Sequence, residues 1–484
     1  MQRSVVITLE TPLRARIDGL RDSESKHLYQ ELSYQAVETR HVHKPGARSK
    51  WDGRKPFFYK RTQRFAAPLL KRVKRLLKEA SIAFTIVDRR KPAPQPNIQL
   101  LKPDMLVGMR MDGAYAYQLR AVRKAAECGM GVLRMATNSG KSAIACAIVK
   151  LYLGSCEHIL FLTHKQNLAL DIRKSFAEQL GTIEENIGLV GMGRFDVKKV
   201  TIAMVNSLLR RKGSTARNAK IKQLLRETDM VIVDEAHHLK SKLHAKPVNA
   251  CVNAAVRFGL SGSYTPGGEG LCVEAAVGPV IFKKTNAALV KLGVSAKPVV
   301  EMVEVSEPEE LNGSWPEVYR LGIVDNVYRN NLIIADLAQC AAAKRPAVVL
   351  VREKRHGRNL SDQLRARKIP HKFLYSTGFP GGLPAIKGFM RSFEQGYLPV
   401  LVATTGLLDE GANLPACRDL LIADGMKSLR SVLQRVGRAL RKKKGTDNTV
   451  RIVDYADLTN GWLAEHAQER LRIYTEEGFE IQER

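Results

Sequence analysis

The sequence predicts an α/β protein: two tandem parallel-sheet domains preceded by a small basic α/β module. Three observations carry that expectation. The chain has 484 residues, room for roughly three domains at about 150 residues each. Short apolar, β-rich runs alternate with helical stretches over most of its length. The first hundred residues differ in composition from the rest, with 22 Lys and Arg against 9 Asp and Glu.

Bulk composition narrows the class. Apolar residues at 44% and charged residues at 26% are ordinary for a chain that buries a core. The charge is not ordinary: 78 Lys and Arg face 48 Asp and Glu, a net of +30. Such a balance points to a polyanionic partner, above all nucleic acid. A membrane surface is the weaker alternative, because no amphipathic basic anchor stands out. Seven cysteines are scattered without a C-x-x-C pair, which argues against a disulfide framework or zinc site and for a reducing compartment. The first 19 residues lack a signal-peptide apolar run, and no stretch approaches the ~18 apolar residues of a membrane span. A soluble, intracellular protein is expected.

The elements follow in order. Residues 1–100 read as the basic module. From Arg40 to Lys78 there are 14 basic residues and one acid, Asp52, interleaved with Trp51, Phe57, Phe58, Tyr59 and Phe65. Cations suit phosphates, and aromatic faces suit bases; the other reading is a solvated basic surface over an aromatic core. Arg54, Lys55, Lys60 and Arg61 are the candidate phosphate contacts. The segment FAAPLLKRVKRLLKEA predicts an amphipathic helix, with Leu69, Leu70, Val73, Leu76 and Leu77 on one face. IAFTIVD predicts a strand, and RRKPAPQPNI a linker. Residues 105–285 then form the first α/β domain, with strands in HILFLTH, KVTIAMVN, DMVIVDEA and RFGLSGS. The pattern pauses over 286–330, a connecting segment. It resumes over 331–484 with AVVLVRE, YLPVLVATT, DLLIAD and VRIVDYA. Apolar strands separated by helices imply parallel sheets covered on both faces.

The chemistry concentrates at two places. Residues 133–142, LRMATNSGKS, precede the helical run AIACAIVKLYL: a strand, a tight loop and a helix start. Backbone N–H groups in such a loop, backed by a helix N-terminus, cradle phosphates. Thr137, Asn138, Ser139, Gly140, Lys141 and Ser142 are the candidate nucleotide ligands. Lys141 would reach the β and γ phosphates, and Ser142 would bind magnesium. The strict pattern asks for glycine at position 135, where this chain has Met. Asn138 can take the left-handed backbone the loop needs. A lone GKS could be chance. About 90 residues on, MVIVDEAH is an apolar strand ending in Asp234 and Glu235. Asp234 would hold the metal, and Glu235 would orient the attacking water. Carboxylates at the C-terminal edge of a parallel strand lie where open α/β sheets bind ligands.

From here the chain resembles superfamily-two helicases of the DEAH-box type over residues 115–441. The resemblance implies two RecA-like motor domains with ATP bound between them. It implies adenine contacts from Tyr115 and Gln118, and nucleic-acid contacts from the segments holding Thr163 and Asn206. Residues 259–266, GLSGSYTP, occupy the place of the family's Ser/Thr-Ala-Thr element, which couples hydrolysis to movement. Ser261, Ser263 and His237 would serve there, although Gly262 and Tyr264 depart from the pattern. In the second half, residues 402–413 resemble the fifth motif, with Thr404 on the nucleic-acid backbone and Gly411 and Asn413 on the nucleotide. Residues 434–441, QRVGRALR, match the sixth motif, Q-x-x-G-R-x-x-R. Arg438 and Arg441, three apart on one helical face, could act as arginine fingers beside Gln434.

A narrower likeness, to UvsW-type phage recombination helicases, rests on residues 49–53, SKWDG, and 87–90, VDRR, followed by the early Tyr-Gln element. It implies an ATP- and Mg2+-dependent DNA helicase acting on forks, four-way junctions and RNA–DNA loops, in the cytoplasm of a phage-infected bacterium. Two alternatives stay open: a duplex translocase that separates no strands, and an RNA helicase.

Overall fold

The computed structural model describes residues 4–35, 52–209, 215–262, 264, 267–306, 311–409, 416–427, 437 and 448–484. The chain divides into two compact units, residues 1–135 with 140–283 and residues 136–139 with 284–484.

The first unit opens with β1 (Ser4–Thr11) and β2 (Arg14–Asp18), an antiparallel hairpin. A short antiparallel pair follows, β3 (Ser33–Gln35) and β4 (Arg54–Pro56). Then come β5 (Phe58–Tyr59), β6 (Arg64–Ala66) and β7 (Ala83–Asp88), giving a five-stranded sheet in the order β5-β6-β2-β1-β7. The expected amphipathic helix forms over Leu70–Glu79, and its apolar stripe of Val73, Leu76 and Leu77 is buried. That stripe packs against Val5, Ile7, Ile17, Phe58 and Phe65. The same core takes in Leu271 and Ala275 from the helix Leu271–Val277, far along the chain. The basic module is therefore packed onto the α/β domain that follows it. Arg72 extends the contact, donating to the Glu274 carboxylate at 2.6 Å.

The larger sheet of this unit has eight strands: β8 (Met130–Met135), β9 (Ile159–Thr163), β10 (Ile187–Gly191), β11 (Arg194–Asp196), β12 (Val200–Met204), β13 (Met230–Val233), β14 (Val256–Ser261) and β15 (Val280–Lys284). Their order is β11-β10-β12-β9-β13-β14-β8-β15. From β10 to β8 every pair is parallel, while β11 runs antiparallel on the edge. Every residue of β9, β12 and β13 is buried, because helices cover both faces. This is why these strands read as unbroken apolar runs.

The second unit holds a seven-stranded sheet: β16 (Lys297–Val305), β17 (Ala347–Val351), β18 (His371–Leu374), β19 (Val400–Thr404), β20 (Asp419–Ile422), β21 (Thr449–Asp457) and β22 (Glu480–Glu483). The order is β18-β19-β17-β20-β21-β16-β22, parallel throughout. Residues 286–330, expected as a connecting segment, supply β16 to the interior of this sheet. Glu301 and Glu304 interrupt its apolar run, so it lacks the signature of its neighbours. Glu301 is there to pair with Arg451 of β21, at 2.6 Å. Among the described residues no helix is long and apolar enough to cross a membrane.

Candidate functional site

The site begins where β8 ends. Asn138 takes a positive φ of 68° and Gly140 one of 79°, as a loop folding back over a helix start requires. Gly140 caps the helix Lys141–Tyr152. A Cβ on Gly140 would lie 2.3 Å from Nε2 of Gln118, so the end of that side chain would have to shift, and the positive φ strains any other residue there. Gln118 is thus set against the phosphate-type loop rather than apart from it, while Tyr115 is exposed at the start of the same helical segment. The helix that follows buries Ala143 through Val149 without a break, which anchors its N-terminus against the sheet. Lys141 and Ser142 stand half-buried at its first turn, and Ser139 is buried. Lys141 Nζ donates to the Met135 carbonyl at 3.3 Å.

The two carboxylates come from the end of β13, between β9 and β14. The Asp234 amide donates to the Leu162 carbonyl at 2.9 Å, holding the strand end in register. Glu235 then takes a left-handed backbone, φ 49° and ψ 52°. That conformation costs a non-glycine residue about 1–3 kcal/mol and is found where the surroundings enforce it, often at functional sites. Gly259 of β14 allows the turn to approach: a Cβ there would lie 2.7 Å from that of Ala236.

Electrostatics splits the pair. Burial, and the neighbouring Glu235, push the Asp234 carboxyl up, with Lys141 pulling the other way. Burial also acts against a charged Glu235, but the Lys141 ammonium and the His237 ring outweigh it and hold that carboxyl down. Lys141, Asp234 and Glu235 therefore share one site, although the loop and the strand end lie about 90 residues apart. His237 is buried, with Nδ1 3.0 Å from Ser261 Oγ at the end of β14 and 3.2 Å from Glu235 Oε2. The coupling candidates of the first unit, His237 and Ser261, are thus joined to the acid.

The nucleic-acid candidates separate by environment. Thr163 is buried at the end of β9, its hydroxyl without a hydrogen-bond partner among the described residues. Asn206 is exposed in the short helix Val205–Leu209. Thr404, in the second unit, is buried at the end of β19. In the basic module Arg54 donates to Ser33 Oγ at 2.7 Å and to the Gln30 carbonyl at 2.9 Å, holding β4 to β3. Lys55 lies over the Tyr34 ring and Lys60 over Tyr29, at 5.9 and 4.5 Å from the ring centres, while Arg61 is exposed. Of the interleaved aromatics, Phe58 and Phe65 are core residues, Phe57 stacks on Tyr34, and Tyr59 is exposed. A second basic face, the polar side of the amphipathic helix within the basic stretch from Arg40 to Lys78, was not singled out as phosphate contacts. Lys71, Arg72, Lys74, Arg75 and Lys78 line one open groove with Glu274. Among the described residues Lys71, Lys74 and Lys78 have no ion-pair partner, while Arg72 faces Glu274 and Arg75 faces Glu79. Ser263, Gly411, Asn413, Gln434, Arg438 and Arg441 lie outside the described residues.

Residues 113–266 match the family described as type III restriction enzyme, res subunit. Residues 333–443 match the helicase conserved C-terminal domain. The ATP-dependent DNA helicase uvsW of Enterobacteria phage T4 is 22% identical over 408 residues, covering 78% of this chain and 78% of that one. The crystal structure of T4 UvsW aligns over 99% of both chains at 18% identity with a TM-score of 0.48. S. cerevisiae Dbp5 bound to RNA and ADP BeF3 has a TM-score of 0.52 at 12% identity, over 81% of this chain and 96% of that one, a likeness of fold. With its two helicase segments in order on two RecA-like domains, the chain belongs to the superfamily-two helicases and is an ATP-dependent enzyme resembling UvsW.

Proposed function

We propose that this chain is a DNA helicase that hydrolyses ATP at the Lys141–Asp234–Glu235 cluster and remodels branched DNA, forks and four-way junctions. The cluster carries the reading: an ammonium on a glycine-capped helix start faces two carboxylates, one pushed up by burial and its neighbour, the other held down by Lys141 and His237. The loop amides and the helix N-terminus would bind the phosphates, and Lys141 would neutralise the terminal ones. Glu235, kept ionised, would orient water for in-line attack. Arg438 and Arg441 would meet the charge that develops on the transferred phosphoryl group.

A magnesium ion fits the site. Two adjacent half-buried carboxylates repel each other, and a cation would relieve Asp234 of that cost. Among the described residues no three His, Cys, Asp or Glu side chains form a metal cage. Magnesium does not need one, since a carboxylate, a hydroxyl and substrate phosphates suffice. Bound there, between Ser142 and Asp234, it would supply charge stabilisation to the phosphates.

Residues 1–100 would serve as the DNA-binding module, with 105–285 and 331–484 as the motors. The DNA assignment is supported by the likeness to a DNA helicase and by the net charge of +30. A second reading, translocation along duplex without strand separation, is favoured by the match of residues 113–266 to a restriction-enzyme subunit. ATP turnover against single strand, plain duplex, fork, four-way junction and an RNA hairpin tests the proposal, together with separation of an end-labelled fork. Greatest stimulation by forks and junctions, with strand release, is expected. Greatest stimulation by plain duplex without release would mean the translocase, and preference for the hairpin an RNA helicase.

A further inference from the structure

Four histidines stand in a row in the first unit. His164 follows β9, His237 and His238 lie in the turn Ala236–Lys240, and His244 lies in the helix Lys242–Ala250. The ring centres of His164 and His238 are 4.4 Å apart, those of His237 and His238 also 4.4 Å, and those of His238 and His244 5.3 Å. His238 is therefore the hub, touching all three other rings. Burial, then Lys165, lower the pKa of His164 to about 4, and burial lowers that of His244. At neutral pH both are uncharged, so at least part of the row is held by ring packing rather than by charge.

The two ends of the row differ in what they adjoin. One end, His164, sits between Thr163 and Lys165 on the segment that carries a nucleic-acid contact in the reading above, on which this inference rests. At the other, His237 reaches Ser261 and Glu235. His238 is also tied to Glu235 directly, its amide donating to the Glu235 carbonyl at 2.9 Å. His237 is buried and His164, His238 and His244 are half-buried, and rings packed in contact resist shifting singly. A displacement of the 163–165 segment must move His238, and with it the strained backbone of Glu235.

We propose that His238 is a positioning residue that links occupancy of the 163–165 segment by nucleic acid to the placement of Glu235. It touches neither nucleotide nor polymer. Its effect is confined to how far nucleic acid accelerates turnover.

The test replaces His238 in the full chain by Phe, which keeps a flat ring, and by Gln, which keeps polarity without one. Turnover is measured without nucleic acid and at saturating forked DNA, with affinity for that DNA measured separately. His238→Phe should keep the stimulation. His238→Gln should lose about tenfold of the stimulated kcat, the range of mutations along a coupled network. Basal turnover, ATP KM and DNA affinity should stay within about twofold in both. Stimulation retained by Gln and lost by Phe would show that hydrogen bonding, not ring packing, is what matters, and would overturn the proposal. So would equal behaviour of the two variants, or a loss that falls on basal turnover as well. A wild-type chain that turns over ATP but is stimulated by no polymer would instead overturn the helicase reading beneath it.

Discussion

The His237 ring lies 3.0 Å from the Ser261 hydroxyl and so ties the turn after β13 to the end of β14. The same nitrogen is 3.2 Å from Glu235. Removing the hydroxyl should loosen this tie without touching the phosphate loop. Ser261→Ala is expected to lower strand separation per ATP hydrolysed, with ATP KM unchanged. A lost neutral hydrogen bond is worth about 0.5–1.5 kcal/mol, or roughly two- to tenfold. Parallel ATPase and fork-separation assays check it; equal ratios in variant and wild type would remove Ser261 from the coupling.

Arg72 and Glu274 join the basic module to the first α/β domain at 2.6 Å, with side chains 19% and 7% exposed. Glu274→Ala should leave the guanidinium without its carboxylate and cost about 1.5–3 kcal/mol, the range for a charged hydrogen bond. Urea denaturation measures this. The double variant Arg72→Met, Glu274→Ala should recover part of the loss, because the stranded charge is gone.

The groove lined by Lys71, Lys74 and Lys78 offers cations not committed to carboxylates among the described residues. Each phosphate contact contributes about 0.9 to the log–log slope of affinity against salt. Replacing the three lysines by Ala should flatten that slope by up to about 2.7. Lys55→Ala, Lys60→Ala and Arg61→Ala together test the patch expected from sequence. Arg54→Ala should mainly lower stability, since Arg54 already bonds within the module. An unchanged slope in the first variant would make the groove a solvated surface.

His356 of the second unit is fully buried, with Nε2 2.9 Å from Asn330 Oδ1. Burial, and then Arg329, lower its pKa from 6.5 to about 3. The folded chain therefore binds fewer protons here than the unfolded chain between those values. Stability from this group is full above pH 6.5 and is lost as pH falls toward 3, by up to about 1.4 kcal/mol per pH unit. His356→Gln, which can keep a hydrogen bond to Asn330, should flatten the acid limb by that one-proton slope. Denaturation midpoints from pH 7 to 4 decide it.

Much of this architecture was legible in the sequence, for definite reasons. The strands β9, β12, β13, β17, β19 and β20 are buried on both faces, so each is an unbroken apolar run. The phosphate-type loop and the DEAH strand are local words. Legibility failed where a residue's role depends on a distant partner. β16 was obscured because Glu301 answers Arg451, 150 positions away. Arg54 reads as a free cation in a basic run, yet it holds two short strands together. For Phe58 and Phe65 the sequence left base stacking and an aromatic core both open, and they form the module's own core. The imidazole row joins residues from three separate segments, and only the adjacent His237 and His238 hinted at it.

Glu235 is proposed to orient the water that attacks ATP. The most direct measurement is steady-state turnover of Glu235→Gln at saturating forked DNA, beside ATP and DNA binding by the same variant. A general base contributes about 10²–10⁴-fold, so a loss of that size is expected with both affinities retained. Turnover at the wild-type rate would contradict it and move the chemistry away from the β13 strand end.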